Sequence, residues 1–291
     1  NAVRALWSRV RREAHAEAPR AHFALHAGDL INRPNADAEW AGWHEAAGWL
    51  NGSVPTVATP GNHEYEVNLL GPRLSGHWRP QFSLPTNGPE GLEETCYWFD
   101  YQGVRFVALN SNERVEEQAQ WLDERLGALP RARWTIATFH HPIYSAAKDR
   151  DNPRLRGLWK PLFAKHGVDL ALQGHDHAYA RSGLGGPKDD PASPPVGREN
   201  VAAGRRAVTD KTVYVVSVSG PKRYPLTDAW DVERVGTGLQ LYQVIGVDRD
   251  AIRYRAFRAS GELYDAFTLR KNDAGDVKLV EQPPGTPEVR E

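Results

Sequence analysis

Four short apolar runs in this sequence finish in side chains able to bind metal ions. They are Asp29 in GDLIN, Asn62 and His63 in GNHEYE, His140 in TFHHP, and His175 with His177 in GHDH. Together they offer one carboxylate, one amide oxygen and three or four imidazoles, a set suited to divalent or trivalent cations held through nitrogen and oxygen. Two metals ~3.5–4 Å apart need a shared ligand with two oxygens, which a carboxylate such as Asp29 provides. Imidazole and amide donors add no negative charge, so the ions stay acidic enough to deprotonate a water. Each motif alone has a plainer reading: a GD pair after a strand is commonly a turn, and His140 beside His141 reads equally as one core and one surface histidine. The weight lies in their joint occurrence at strand ends. His15, His22, His44, His77 and His166 read as surface or satisfied core positions, and His26, inside a strand, as structural.

The elements that must deliver these side chains follow from periodicity. Val3, Leu6, Trp7 and Val10 are at helical spacing with Asn1 as a cap, and Trp40, Trp43, Ala47 and Leu50 make a second helical face. HFALHAGDL, VPTVATPGNHE, WTIATFHHP and VDLALQGHDH are apolar runs that each end in polar residues, and CYWFDYQGVRFVALNS predicts a hairpin turned at Gln102 and Gly103. Helices are expected over 118–129 and 155–166. Helices alternating with short apolar strands predict an α/β layered fold with a largely buried central sheet, in which sites form beyond the carboxyl ends of the strands. The glycines before Asp29, Asn62 and His175 permit the tight turns required there. After residue 210, alternating β patterns such as KTVYVVSVS, GLQLYQVIGV and AIRYRAFR take over. Residues 183–210 read as a long loop or flap, 1–272 as a single domain, and 273–291, with Pro283, Pro284 and Pro287 among charges, as a flexible C-terminal tail.

Composition narrows the partners. The chain has 291 residues, a net charge of −1 and a mean hydropathy of −0.59. No run approaches the ~18 consecutive apolar residues of a membrane span, and the near-neutral charge gives no global field toward nucleic acid. A small substrate is expected, with neither nucleic acid nor membrane as partner. Cys96 is the only cysteine, which excludes an internal disulfide and a thiolate-type zinc site. The sequence starts at Asn1 and lacks methionine, so a processed or N-terminally shortened chain is expected, in a secreted or periplasmic setting.

The order GD, GNHE, H and GHxH resembles the calcineurin-like metallophosphoesterases. GNHEYE, HHPIYS, GHDHAYARS and QAQWLDERL are similar to the purple acid phosphatase-like branch, from about residue 20 to 220. This resemblance implies a metallophosphoesterase-type β-sandwich of two mixed sheets flanked by helices, a dinuclear centre of iron, zinc or manganese, and phosphoester hydrolysis. On it, Asp29 is the bridging carboxylate; Asn62, His140 and His175 hold one metal with Asp29; and His177 joins Asp29 on the other. His63 contacts the phosphoryl group and assists the leaving group, Glu64 orients His63, and His141 stays outside the ligand set. Two departures stand out: no counterpart of the family's first aspartate precedes GDLIN, and Asn32 occupies the place of the purple branch's tyrosine.

The function expected is hydrolysis by a metal-bound hydroxide attacking phosphorus in line, with a purple acid phosphatase-like monoesterase favoured. A phosphodiesterase with the same core is one alternative, and a non-catalytic metal-binding or interaction module another, for which the ten tryptophans supply stacking surfaces.

Overall fold

The computed structural model describes residues 2–69, 71–190 and 210–291. Asn1 and most of the expected 183–210 loop, namely 191–209, lie outside the described residues. The N-terminal third comprises α1 (Ala2–Glu17), β1 (Ala24–His26), α2 (Asp37–Ala47), α3 (Leu50–Ser53) and β2 (Thr56–Ala58). A single 3-10 turn at Asn62–Glu64 leads into the hairpin β3 (Tyr65–Asn68) and β4 (Gly71–Leu74), followed by α4 (Trp78–Gln81). The middle runs β5 (Tyr97–Tyr101), β6 (Val104–Ala108), α5 (Val115–Ala128), β7 (Trp134–Phe139), α6 (Pro153–His166), β8 (Leu170–Gln173) and β9 (Ala178–Arg181). The C-terminal part adds β10 (Val213–Val216), β11 (Arg234–Thr237), β12 (Leu241–Val247), β13 (Ala251–Arg258), β14 (Leu263–Lys271) and β15 (Val277–Glu281).

Local signals account for several boundaries. The β5–β6 turn places Gln102 at φ 48° and Gly103 at φ 82°, the two positive values that a tight hairpin with the strand twist requires. Helix α6 opens with a proline in its first turn and closes at Gly167, φ 70°, in the left-handed region.

The main sheet has seven strands in the order β11-β9-β10-β8-β7-β6-β5. Strands β6, β7, β8 and β10 run parallel, while β5, β9 and β11 are antiparallel to their neighbours. Alternation along these strands fills two cores. Phe106, Ile136, Leu170, Val213 and Val215 face the four-stranded sheet β12-β13-β14-β15, against Ile252, Tyr254, Phe267 and Leu269. The intervening Val107, Ala137, Phe139, Ala171 and Tyr214 pack on Trp121, Leu122 and Leu126 of α5 and on Leu155, Trp159 and Phe163 of α6. The result is a mixed α/β fold, two sheets packed face to face with helices outside. Each fully buried large apolar side chain contributes roughly 1.5–3 kcal/mol, which makes these layers rigid supports for the loops at their ends.

Strands β1 and β2 form a separate parallel pair. Trp40 and Trp43 of α2 are buried with Ala58, Trp78 and Phe82, so this helical face serves packing. No helix among the described residues is long and apolar enough to cross a membrane.

The C-terminus departs from the sequence expectation. Residues 273–291 are not a flexible tail: β15 pairs with β14 from Phe267–Glu281 to Lys271–Val277. Glu288 accepts the N–H of Val235 at 2.9 Å, and Val289 accepts that of Thr237 at 2.8 Å. The prolines at 283, 284 and 287 lie beyond the strand, where they interrupt no ladder bond, and the alternating VKLVE supplies an edge strand. The β3–β4 hairpin and strands β9 and β11 were likewise not anticipated, because strands this short carry too few residues to display a period.

Candidate metal centre

The ends of β1, β2, β7 and β8 converge. Each is followed within a few residues by one of the polar motifs, and glycines let their backbones touch. A Cβ on Gly28 would lie 2.5 Å from Gly61 N and 2.6 Å from His140 Nδ1, so no other residue fits between these loops. Asp29 and His175 have φ of 56° and 67°, a left-handed backbone that non-glycine residues adopt at a cost. Both side chains are thereby turned inward from the strand ends.

Four ligand-type atoms meet. His140 Nε2 is 3.2 Å from Asp29 Oδ2, 3.1 Å from Asn62 Oδ1 and 3.1 Å from His175 Nδ1, and His175 Nδ1 is 2.9 Å from Asn62 Oδ1. The other nitrogen of His140, Nδ1, lies 2.8 Å from the Ala27 carbonyl. It donates there, because a carbonyl only accepts, and His140 then faces its neighbours through Nε2, as a bare lone pair when neutral and as an N–H donor to Asp29 when protonated.

Asp29 Oδ2 and Asn62 Oδ1 are also lone-pair donors. Such a cluster repels itself unless positive charge sits within it, and the donor set of one carboxylate, one amide and two imidazoles suits a divalent or trivalent cation. The ligand atoms of Asp29, His140 and His175 all lie within 4.8 Å of one another. The residues therefore fit a metal ion. Burial disfavours charge on Asp29, but the charge and hydrogen bond of His140, with the His63 N–H, outweigh it and hold its carboxyl below the usual carboxylate range. Burial likewise disfavours charge on His140, yet Asp29 prevails and raises its pKa.

His177 stands apart from this cluster. It lies two residues beyond His175, past the turn, and its Nδ1 is buried without a hydrogen-bond partner among the described residues. Its pKa is lowered to about 4, first by burial and then by the charge of Lys222, so its ring is neutral at physiological pH.

A family model described as calcineurin-like phosphoesterase matches residues 1–179. The chain belongs to that family. Among its relatives, purple acid phosphatase 23 of Arabidopsis thaliana is 30% identical over 166 residues, 55% of this chain and 36% of the relative. Purple acid phosphatase 15 of the same plant is 29% identical over 49% of this chain and 28% of its own length, and human acid phosphatase type 7 is 28% identical over 44% and 33%. This calcineurin-like phosphoesterase chain thus spans about a third of the length of these curated relatives. Its fold is that of purple acid phosphatase PPD1 from yellow lupin seeds, with TM-score 0.71, 19% identity, and coverage of 92% of this chain and 49% of that one. It also matches GAP50, the anchor in the inner membrane complex of Plasmodium, with TM-score 0.61, 15% identity, and coverage of 92% and 84%.

Within this phosphoesterase chain, His63 borders the cluster. Its backbone N–H donates to Asp29 Oδ1 at 3.0 Å, and its ring Nδ1 lies 2.8 Å from the Asn32 carbonyl, to which it donates. That bond sets the tautomer and leaves Nε2 unengaged by it. The side chain of Asn32 is exposed and makes no hydrogen bond among the described residues.

Glu64 does not orient His63. Its buried carboxylate accepts the backbone N–H groups of Gly61 at 2.6 Å, Asp29 at 2.9 Å and Leu30 at 2.7 Å, tying the first motif to the second. Burial and the charge of Asp29 raise its pKa to about 7, against the pull of these donors.

Several residues that motif spacing does not reveal surround the cluster. The His141 ring lies 4.2 Å from that of His175, and its Nδ1 is 2.8 Å from Ser111 Oγ. Asp176, buried between His175 and His177, accepts from Ser145 Oγ at 2.5 Å and so fastens the GHDH turn to the HHPIYS loop. Only the pairing of a polar residue at 176 with a serine at 145 hinted at this. His26 packs between Trp7 and Trp43, with ring centroids 5.6 and 5.5 Å away, as a core residue.

Proposed function

We propose that this chain carries the hydrolytic core of a metal-dependent phosphomonoesterase of the purple acid phosphatase type, acting on a small phosphoester through a dinuclear centre of iron, zinc or manganese. The convergence of Asp29, Asn62 and His175 on His140 Nε2, each within 3.2 Å of it, carries this reading. These four would hold one ion, and Asp29 with His177 would contribute to the second. Bound there, such ions would supply charge to neutralise phosphate oxygens and would lower the pKa of a water from 15.7 to roughly 7.

The remaining work falls to protein groups. Asp29 is pinned by the His63 N–H through one oxygen and faces His140 with the other, so its carboxylate plane is fixed across the crevice. His63, held through Nδ1, would in its doubly protonated form give a proton from Nε2 to the leaving oxygen, an acid role of the kind that contributes ~10²–10⁴-fold. Asn32 brings no phenolate, so a ferric form is expected to lack the purple charge-transfer colour.

A non-catalytic module with the same fold is the second reading. The likeness to an anchor protein, GAP50, favours it on fold alone. The two readings part when metal-loaded protein is given p-nitrophenyl phosphate and bis(p-nitrophenyl) phosphate. Faster turnover of the monoester, abolished by Asp29→Ala, supports the phosphatase. Tight metal uptake with no phosphate released at any pH would leave only the module.

A further inference from the structure

The loop from β6 to α5 grips two of the ligand turns at once. Its residues 110–113 read Asn-Ser-Asn-Glu, and each of the four side chains reaches a neighbouring turn. The buried Tyr65 hydroxyl accepts from Asn110 Nδ2 at 2.6 Å and donates to Glu113 Oε1 at 2.5 Å. Asn112 Nδ2 donates to the Pro60 carbonyl at 2.9 Å. Pro60 and Tyr65 bracket Asn62 and His63 in the sequence, so the GNHE turn is held on both sides. Ser111 Oγ accepts the backbone N–H of His141 at 2.9 Å and lies 2.8 Å from its Nδ1. The His141 ring packs in turn against those of His140 and His175, with centroids 5.1 and 4.2 Å away.

The loop is itself tied down. Gln118 of α5 donates to the carbonyls of Asn110 and Glu113 at 2.6 and 2.7 Å and accepts the Asn110 N–H at 2.8 Å. Asn110 Oδ1 accepts from the backbone N–H and from Nδ2 of Asn112, at 3.1 and 3.0 Å. Asn110 and Gln118 are wholly buried, and a satisfied network in such surroundings is rigid. Residues 110–113 supply none of the four atoms that meet at His140 Nε2, yet they hold the turns that carry those atoms. We propose that residues 110–113 are a positioning strut for the metal centre. Through Tyr65 and Pro60 they fix the Asn62 turn, and through Ser111 and His141 they fix the rings of His140 and His175, so that both turns meet one ion. This rests on reading the cluster as a metal centre and not on the substrate assigned to it.

The test uses the full chain and Co²⁺, whose visible absorption reports ligand number and geometry. Tyr65→Phe removes the hydroxyl between Asn110 and Glu113, and Ser111→Ala releases His141. Tyr264→Phe is the control, since it removes another buried hydroxyl, bonded to the Val235 carbonyl between β14 and β11. Melting curves with chelator measure what each costs the fold alone. Tyr65→Phe and Ser111→Ala are each expected to weaken Co²⁺ binding about 10–100-fold and to alter its spectrum, as for residues that orient ligands. Tyr264→Phe should lower only the melting temperature. Because one strut serves both turns, the double variant should lose less than the product of the single losses, whereas independent sites would multiply. Losses that multiply, or melting temperatures that fall while Co²⁺ affinity and spectrum stay parental, would overturn the proposal. A parent that binds Co²⁺ and responds as expected but hydrolyses no phosphoester would sink the phosphatase reading and leave the strut standing.

Discussion

The buried carboxylate of Glu64 accepts the backbone N–H of Asp29 at 2.9 Å, so a side chain after the second strand holds the main chain after the first. Glu64→Ala would leave four backbone N–H groups, those of Gly61, Asp29, Leu30 and Ile31, without their acceptor, at about 1–3 kcal/mol each where water cannot replace it. It would also free the Asp29 turn, and metal affinity should fall by about 10–100-fold, as for other residues that orient ligands. Glu64→Gln, keeping one acceptor oxygen, should lose less of both. Thermal melts and metal titration measure the two effects, and a Glu64→Ala protein with parental values for both would refute this role.

His175 and His177 are separated by one residue but face different surroundings, His175 toward Asn62 and His140 and His177 toward Tyr224. His175→Ala should deplete the ion held with Asn62 and His140, and His177→Ala the other. Metal content by elemental analysis, with two spectroscopically distinct ions loaded in turn, separates the cases. Equal depletion of the same ion by both substitutions would contradict the division.

His26, packed between Trp7 and Trp43, gives the fold a pH dependence of its own. Burial, assisted by the charge of Arg11, pushes its pKa from 6.5 down to about 3. The unfolded chain therefore binds a proton that the folded chain refuses between these values, and stability should decline as pH falls from 6.5 to 3, by up to several kcal/mol. Above pH 6.5 the term vanishes. Denaturant titrations of the parent and of His26→Phe should diverge in slope only within this window. Parallel curves would show that His26 does not contribute.

The C-terminal segment should prove indispensable. Arg181, on the strand that follows the GHDH turn, is paired with buried Asp265 at 2.6 Å and with Glu281 of β15 at 2.7 Å. Truncation after Asn272 removes Glu281 and uncovers β14. A loss of about 3–5 kcal/mol is expected, as when one partner of a buried charge pair is deleted. Unchanged denaturation midpoints for the truncated chain would argue against it.

The meeting of Asp29, Asn62, His140 and His175 was legible because each follows an apolar run at a strand end, a pattern that survives in one dimension. Glu64 was misread for the opposite reason. Its partners are backbone N–H groups at Asp29 and Leu30, and backbone donors leave no trace in residue type. His141, Ser111 and Asp176 gain their roles from contacts across 30 or 31 residues, which spacing cannot encode. The tail was mistaken because prolines and charges dominate its composition, whereas five alternating residues and a waiting sheet edge decide its structure. Strand order and the face each helix covers were legible only as a class of fold.

The contacts of the centre bridge long stretches of chain: His140 to Ala27 and His175 to Asn62 are each 113 residues apart. Closing loops of that length before any local reward is a slow step, so the centre is expected to form late in folding, after the sheets that carry it. A cation that binds only the assembled state then acts as a clasp on the whole molecule, raising global stability in proportion to the logarithm of its free concentration. Chelation should therefore lower the melting temperature of the entire chain.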